Sequence, residues 1–188
     1  MADISTANRG ASTEMPLAGG VALITGGGRG IGKAIAQRLA VLGAAVSICG
    51  RSRESLMSTA QDLRALGGRV HPQAADVTRP GDIASLVAAT EKELGPITIL
   101  VNNAGIGGFG PVHEKSEEEW DRVLNTNLKS VFLVSRAVVP AMIRRGGGDI
   151  INISSLAGKN TFAGGGIYCA SKWGLQGLTG CMAEDLRG

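Results

Sequence analysis

The chain has 188 residues, 44% hydrophobic and 19% charged, with 29 glycines but only 2 Trp, 1 Tyr and 3 Phe. That length suits one domain with a sizeable core; the hydrophobicity excludes disorder, and glycines without a three-residue period exclude collagen. A net charge of +3 is too small and too scattered to imply a nucleic-acid partner, and no apolar run approaches the roughly 18 residues that span a membrane.

Residues 1–18 are polar and mixed, with Asp3, Arg9 and Glu14 interrupting any hydrophobic stretch that a signal peptide would need. They read as a flexible N-terminal tail ahead of a domain over 19–188. The three cysteines, Cys49, Cys169 and Cys181, make no CxxC pair and no complete disulfide framework. A reducing, cytoplasmic compartment is therefore expected, and no metal site.

From Val21 onward, short apolar runs at 21–25, 45–49, 69–74, 98–102 and 149–153 alternate with segments of helical period. Such near-continuous runs predict parallel strands buried on both faces. Ile31, Ile35, Leu39 and Leu42 form one face of the first intervening helix, and Ile83, Leu86, Val87 and Leu94 repeat the pattern later. Ser116 with Glu119 forms a capping box opening a helix that runs through Trp120, Val123, Leu124 and Val131 towards Met142. A last helix is predicted over 166–186. The fold class is α/β: a single doubly wound Rossmann-type domain, a parallel sheet with helices on both faces.

The first strand meets its helix through Thr25 to Gly32, TGGGRGIG. Gly26, Gly28, Gly30 and Gly32, with Arg29 and Ile31 between them, let the backbone turn tightly and approach a pyrophosphate at the helix N-terminus. The spacing is not GxGxxG, yet the strand–turn–helix context favours nucleotide binding over a bare turn. After the second strand, where NAD-binding folds place an acid for the ribose 2′-hydroxyl, the chain reads Gly50-Arg51, with no acid until Glu54. Arg51, joined by Arg29, could pair with a 2′-phosphate, which favours NADPH over NADH; otherwise both are solvated surface charges.

Tyr168 and Lys172 stand four residues apart on the last predicted helix and share a face. An ammonium beside a phenol favours the phenolate over the neutral form. The phenol can then exchange a proton with a carbonyl or alcohol oxygen while hydride moves to or from a nicotinamide. Tyr168 is the only tyrosine, and Ser155 precedes it by 13 residues, just past the fifth strand. Asn127 falls on the apolar stripe of its helix, where a buried amide must find partners. It is either a bridge from helix to sheet or a polar relay behind Lys172. Gly26, Arg51, Asp76, Asn102 and Ser155 each follow a different predicted strand and so share one edge of the sheet, where open α/β folds bind ligands.

Together these residues resemble the short-chain dehydrogenase/reductase family. The matching pieces are the glycine turn, Asp76-Val77, Asn102-Asn103-Ala104-Gly105, Asn127, Ile153-Ser154-Ser155 and Tyr168 to Lys172, in the family's order from Val21 onward. The resemblance implies an oxidoreductase interconverting a carbonyl and a secondary alcohol, with Tyr168 as acid/base and Ser155 orienting the substrate oxygen. Lys172 would bind the nicotinamide ribose, and Asn127 would hold a water linking Lys172 to solvent. Asp76 and Val77 would contact adenine, Asn103, Ala104 and Gly105 would border the cofactor, and Asn102 would stabilise the sheet. It also implies a homo-oligomer, a dimer or tetramer packed through the Asn127 and Tyr168 helices. The glycine loop and active-site segment look most like 3-oxoacyl-thioester reductases and sugar or polyol dehydrogenases.

The family usually continues through a substrate-binding loop and two more strands, so residues 150–153 are expected as an exposed edge strand that promotes association. Sedimentation of the isolated chain as a stable monomer would contradict that. The rival functional class is a nucleotide-binding module without catalysis. A nucleic-acid-binding domain, motivated only by a pI near 9.0, lacks an aromatic platform and a basic stripe.

Overall fold

A computed structural model of the chain describes residues 15–187. The expected tail over 1–18 lies mostly outside these residues. Its last part is a turn tied to the body, the Leu17 N–H donating to the Leu42 carbonyl at 2.9 Å.

Strands β1 (Val21–Thr25), β2 (Ala45–Gly50), β3 (Val70–Ala74), β4 (Ile99–Asn102) and β5 (Asp149–Asn152) form one sheet. The intervening helices are α1 (Gly30–Val41), α2 (Arg53–Ala65), α3 (Pro80–Leu94), α4 (Glu117–Leu124), α5 (Ser130–Arg144) and α6 (Gly166–Asp185). Every adjacent strand pair is parallel, in the order β3-β2-β1-β4-β5. The order reverses between β1 and β4, which opens a crevice at the strands' C-terminal ends.

Alternation along the strands divides the core in two. Val21 and Leu23 of β1 join Leu86 of α3 and Val134 of α5 on one face, while Ala22 and Ile24 join Ala36 of α1 and Leu63 of α2 on the other. The expected sandwich of helices around a parallel sheet is thus the observed fold.

Three local expectations need correction. Burial on both faces holds for β1, β2 and β4 but not for β3 and β5, because these are the edges. β3 carries His71, Pro72 and Gln73; proline has no N–H for a ladder and is tolerated at an edge. β5 exposes Ile151, as expected for an edge at 150–153.

The fully buried stripe of α1 is Gly32, Ala36 and Ala40; of the expected face Ile31, Ile35, Leu39 and Leu42, Ile35 and Leu39 pack half-buried against the same core. Small residues let this helix approach the sheet closely, and Ile31 remains 65% exposed. The long predicted helix beginning after Ser116 does open on its capping box, with Ser116 Oγ accepting from the Glu119 N–H at 3.2 Å. It is interrupted, however, by a π turn over Asn125–Lys129, which divides α4 from α5. No helix among the described residues is long and apolar enough to cross a membrane.

Candidate functional site

Two loops meet at the crevice between β1 and β4, and Thr25 joins them. Its Oγ1 accepts from the backbone N–H groups of Asn103 and Ala104, both at 3.0 Å. Asn103 returns the link, its Nδ2 donating to the Thr25 carbonyl at 2.9 Å and the Gly26 carbonyl at 3.2 Å. Gly26 has φ +68°, and a Cβ there would come within 2.9 Å of Asn103 Nδ2. Gly32 is equally confined, since its Cβ would meet the Gly26 carbonyl oxygen and lie 2.5 Å from Asn103 Nδ2. These two positions require glycine for packing, apart from any ligand.

Above this junction lies an open cleft of about 670 Å³. Gly26 and Gly28 to Gly32, then Arg51, Asp76, Val77, Asn103, Ala104 and Gly105 all line it, whereas Tyr168 and Lys172, also assigned to the cofactor from sequence, are not among its lining residues. Ser52, Ser55, Thr78, Arg122, Asn125 and Thr126 line it as well and escaped the sequence reading. The serines and threonine flank predicted strand ends, which is a usable signal. Arg122, Asn125 and Thr126 are brought in by the α4–π turn, which no local pattern foretold.

Asp76 is held in its turn by its neighbours. Its Oδ1 accepts from the Thr78 N–H and hydroxyl at 2.9 and 2.8 Å, and its own N–H donates to Asp82 Oδ2 at 2.9 Å. The Thr78 N–H, with help from the nearby Arg79 and Arg51 charges, holds its carboxyl below the ordinary 3.8. Arg51 and Arg29 are exposed at the rim.

Of the four candidate catalytic residues, Asn127, Tyr168 and Lys172 come together beyond Gly105, and Ser155 caps the turn after β5. Asn127, buried in the π turn, accepts from the Ile106 N–H at Oδ1 (2.8 Å) and donates from Nδ2 to the Ile106 carbonyl (2.9 Å) and Ser171 Oγ (3.0 Å). The bridge is thus real, though it reaches a loop and α6 rather than the sheet. Both Nδ2 hydrogens are used, while Oδ1 keeps one lone pair. A Cβ on Gly105 would sit 3.4 Å from Asn127 Oδ1 and 3.8 Å from Lys172 Nζ, so these groups border the same small space.

Lys172 is buried, and its ammonium donates to the Ile153 carbonyl at 2.8 Å. Burial pushes its pKa below the ordinary 10.5. Nζ lies 5.9 Å from the centroid of the Tyr168 ring, on the same helix face. Ser155 Oγ accepts from the Ala157 N–H at 3.1 Å, capping the short turn Leu156–Gly158 and leaving its own proton free to donate. The neighbouring Ser154 Oγ is buried without a partner among the described residues.

A second polar chain fixes α6 against the sheet. Asn102 Nδ2 donates to Asn152 Oδ1 at 2.9 Å, and Asn152 Nδ2 donates to Thr179 Oγ1 at 2.9 Å. Asn102 therefore ties β4 to β5, and through Asn152 to the helix that bears Tyr168 and Lys172.

Known proteins resemble this chain over most of its length. Residues 20–188 match the family described as short chain dehydrogenase. Gluconate 5-dehydrogenase of Gluconobacter oxydans is 42% identical over 169 residues, 90% of this chain and 66% of that protein. The 3-oxoacyl-acyl-carrier-protein reductase of Thermotoga maritima is 41% identical over 174 residues, 93% of this chain and 71% of that one. A metagenomic short-chain oxidoreductase solved with NADP superposes with a TM-score of 0.88 at 46% identity, covering 91% of this chain and 78% of its own. A Burkholderia phymatum short chain dehydrogenase/reductase solved with NAD gives 0.88 at 33% identity, covering 91% and 61%. The chain spans about two thirds of the length of the curated relatives it matches. Matched by that family over residues 20–188, and 42% identical to one such dehydrogenase over 90% of its length, the chain belongs to the short chain dehydrogenase family.

Proposed function

We propose that this chain serves an NADP(H)-dependent oxidoreductase that interconverts a carbonyl compound and a secondary alcohol, with Tyr168 as the acid/base. The observation that carries this reading is the buried Lys172 ammonium, 5.9 Å from the centroid of the Tyr168 ring and close to Gly105, which lines the cleft. A positive charge there favours negative charge on the phenolic oxygen.

The cleft fits a dinucleotide. Its volume of about 670 Å³ falls within the usual range for ligand sites, ~300–1,000 Å³. The glycines at the start of α1 leave backbone N–H groups uncovered by side chains, which suits a pyrophosphate. Gly26 to Gly32 would hold that group, Asp76 and Val77 the adenine, Asn103 to Gly105 the middle of the cofactor, and Lys172 the ribose next to the nicotinamide. Arg29 and Arg51 would take the 2′-phosphate, and no acid at the end of β2 opposes it. Relatives are solved with NADP and with NAD, so preference rests on these two arginines.

When bound, the nicotinamide supplies or accepts the hydride. Ser155 donates its free proton in a hydrogen bond to the substrate oxygen and orients it. Tyr168 gives that oxygen a proton as the alcohol forms, or removes one as it is oxidised. Lys172 keeps two ammonium protons beyond its bond to Ile153, and a water accepting one of them could donate to the remaining lone pair of Asn127 Oδ1. The working protein is proposed to be a cytoplasmic homo-oligomer, a dimer or tetramer.

Titration with NADPH and NADH, followed by nicotinamide fluorescence, tests the cofactor reading. Saturable binding that favours NADPH is expected, and a preference for NADH would refute the role of the arginines. Tyr168→Phe should retain NADPH binding and lose turnover. Turnover surviving in that variant would remove the tyrosine from its role, and binding without carbonyl reduction across a broad panel would leave a nucleotide-binding module.

A further inference from the structure

This chain is poor in aromatic residues, yet three of its 2 Trp, 1 Tyr and 3 Phe assemble in one place. The Phe109 ring lies 5.3 Å from the Tyr168 ring and 6.2 Å from the Phe162 ring, centroid to centroid, in tilted contacts. The two phenylalanines come from the loops after β4 and β5, 53 residues apart in the chain. The Gly110 N–H joins those loops by donating to the Gly164 carbonyl at 2.8 Å. Each ring also folds back on a glycine of its own loop. The Phe109 ring comes within 2.6 Å of where a Gly107 Cβ would sit, and the Phe162 ring within 2.7 Å of the same point on Gly165. The wall is therefore seated by its backbone.

Despite that seating, Phe109 is 59% exposed and Phe162 50% exposed. Leu156, immediately after Ser155, is exposed too. Adjoining exposed apolar side chains on positioned loops mark a recognition surface. Among the charged side chains of these loops, Lys115 pairs with Glu119 at 3.1 Å, while Glu114 and Lys159 are exposed. A polyhydroxylated substrate would need hydrogen-bonding partners for each hydroxyl, and rings offer none.

We propose that Phe109 and Phe162 form the wall against which the substrate's carbon skeleton lies, so that the carbonyl compound handled at Tyr168 carries an aryl or extended alkyl group next to its C=O. This assignment of substrate class rests on the reading of Tyr168 as the acid/base. Offset or tilted stacking of an aryl group on Phe109 places its carbonyl beside the tyrosine ring that Phe109 already touches. The relatives act on both classes by name, an oxoacyl group and gluconate, and these two side chains decide between them in this chain.

The test compares acetophenone with dihydroxyacetone on the wild-type protein, Phe109→Ser, Phe162→Ser and Tyr168→Phe, by NADPH oxidation and by saturation-transfer NMR of the ketone. Wild type should favour acetophenone in kcat/KM, and each serine variant should lower that preference by on the order of 10-fold, mainly through KM. NADPH binding in the serine variants should match wild type, which shows that the fold survives. An equal or better rate with dihydroxyacetone, or an unchanged preference in both serine variants, would overturn the proposal. If wild type turns over neither ketone, the acid/base reading fails while the NMR arm still decides the wall. Saturation transfer to acetophenone that weakens in both serine variants sustains the wall, and none in wild type overturns it.

Discussion

Asn127 grips Ile106 by both ends of its amide, accepting from the Ile106 N–H at 2.8 Å and donating to the Ile106 carbonyl at 2.9 Å. A third bond from the same amide, to Ser171 Oγ, reaches α6, and Ser171 in turn donates to the Tyr168 carbonyl at 2.7 Å. One buried side chain thus sets the loop after β4, the π turn and the Tyr168 helix relative to one another. The π geometry follows the same need: a local widening of the helix lets Asn127 face the loop without moving the apolar stripe of α5.

Asn127→Ala should therefore cost stability as well as geometry. It leaves the Ile106 backbone and Ser171 short of partners, and unsatisfied buried groups cost about 1–3 kcal/mol each. Partial rehydration lowers the sum, so a loss of about 2–4 kcal/mol in urea unfolding is expected. A loss below about 1 kcal/mol would mean that the clamp is dispensable.

One substitution, glycine to alanine, should have opposite signs at two positions. At Gly32 the new methyl meets the Gly26 carbonyl and Asn103 Nδ2, backbone and a clamped amide that cannot yield cheaply. About 3 kcal/mol or more should be lost, as in severe overpacking. At Gly177, in the body of α6, a Cβ meets nothing within 4 Å. Alanine there should raise stability by ~0.5–1 kcal/mol through helix propensity. Urea midpoints of the two variants check both, and a shift of the same sign in each would refute the packing argument.

The contrast between legible and hidden features follows from the range of each interaction. The strands and the glycine turn were readable because burial and backbone turning leave local patterns, such as VALIT running into TGGGRGIG. The face of α1 was read only in part: Ile35 and Leu39 do pack against the core, but large apolar residues dominate a helical wheel and hid the fully buried Gly32, Ala36 and Ala40. β3 was read as buried because its place at the edge depends on the order of all five strands. Spacing and resemblance named Asn127, Ser155, Tyr168 and Lys172, but the partners Ile106, Ser171 and Ile153 appear only in three dimensions. The pairing of Phe109 with Phe162 is of the same kind, joined across two loops by a Gly110–Gly164 bond.

The cysteines should separate cleanly by reactivity. Cys49 lies at the end of β2, wholly buried, and burial pushes its thiol up to about 12, so it has almost no thiolate at neutral pH. Cys169 is buried beside Tyr168, its Sγ 3.6 Å from the Asn160 carbonyl, whereas Cys181 is exposed on α6. A disulfide reagent applied to the native protein should modify one thiol quickly, and peptide mapping should locate it at Cys181. Rapid modification of Cys49 would show that the sheet opens at β2.

Asp76 should make the crevice sensitive to acid. The Thr78 N–H holds its carboxyl below the ordinary 3.8 in the folded chain, with smaller help from the Thr78 hydroxyl, Arg79 and Arg51. A carboxylate with a depressed folded pKa releases its proton more readily in the native state, so the unfolded chain binds more protons in the window between the two values. Its contribution to stability is then complete above 3.8 and is lost as pH falls from there through the lower, folded value. Asp76→Asn keeps an acceptor for Thr78 but carries no charge, so it removes this titration while disturbing the turn little. The stability gap between wild type and the variant should be constant from neutral pH down to the ordinary value, then narrow as the solution becomes more acidic. A gap that stays constant throughout, followed by chemical unfolding at each pH, would show that the bonds from Thr78 do not favour the charged form. A gap that widens in acid would reverse the sign and place the raised pKa in the folded state, against the geometry of two donors facing Oδ1 at 2.9 and 2.8 Å.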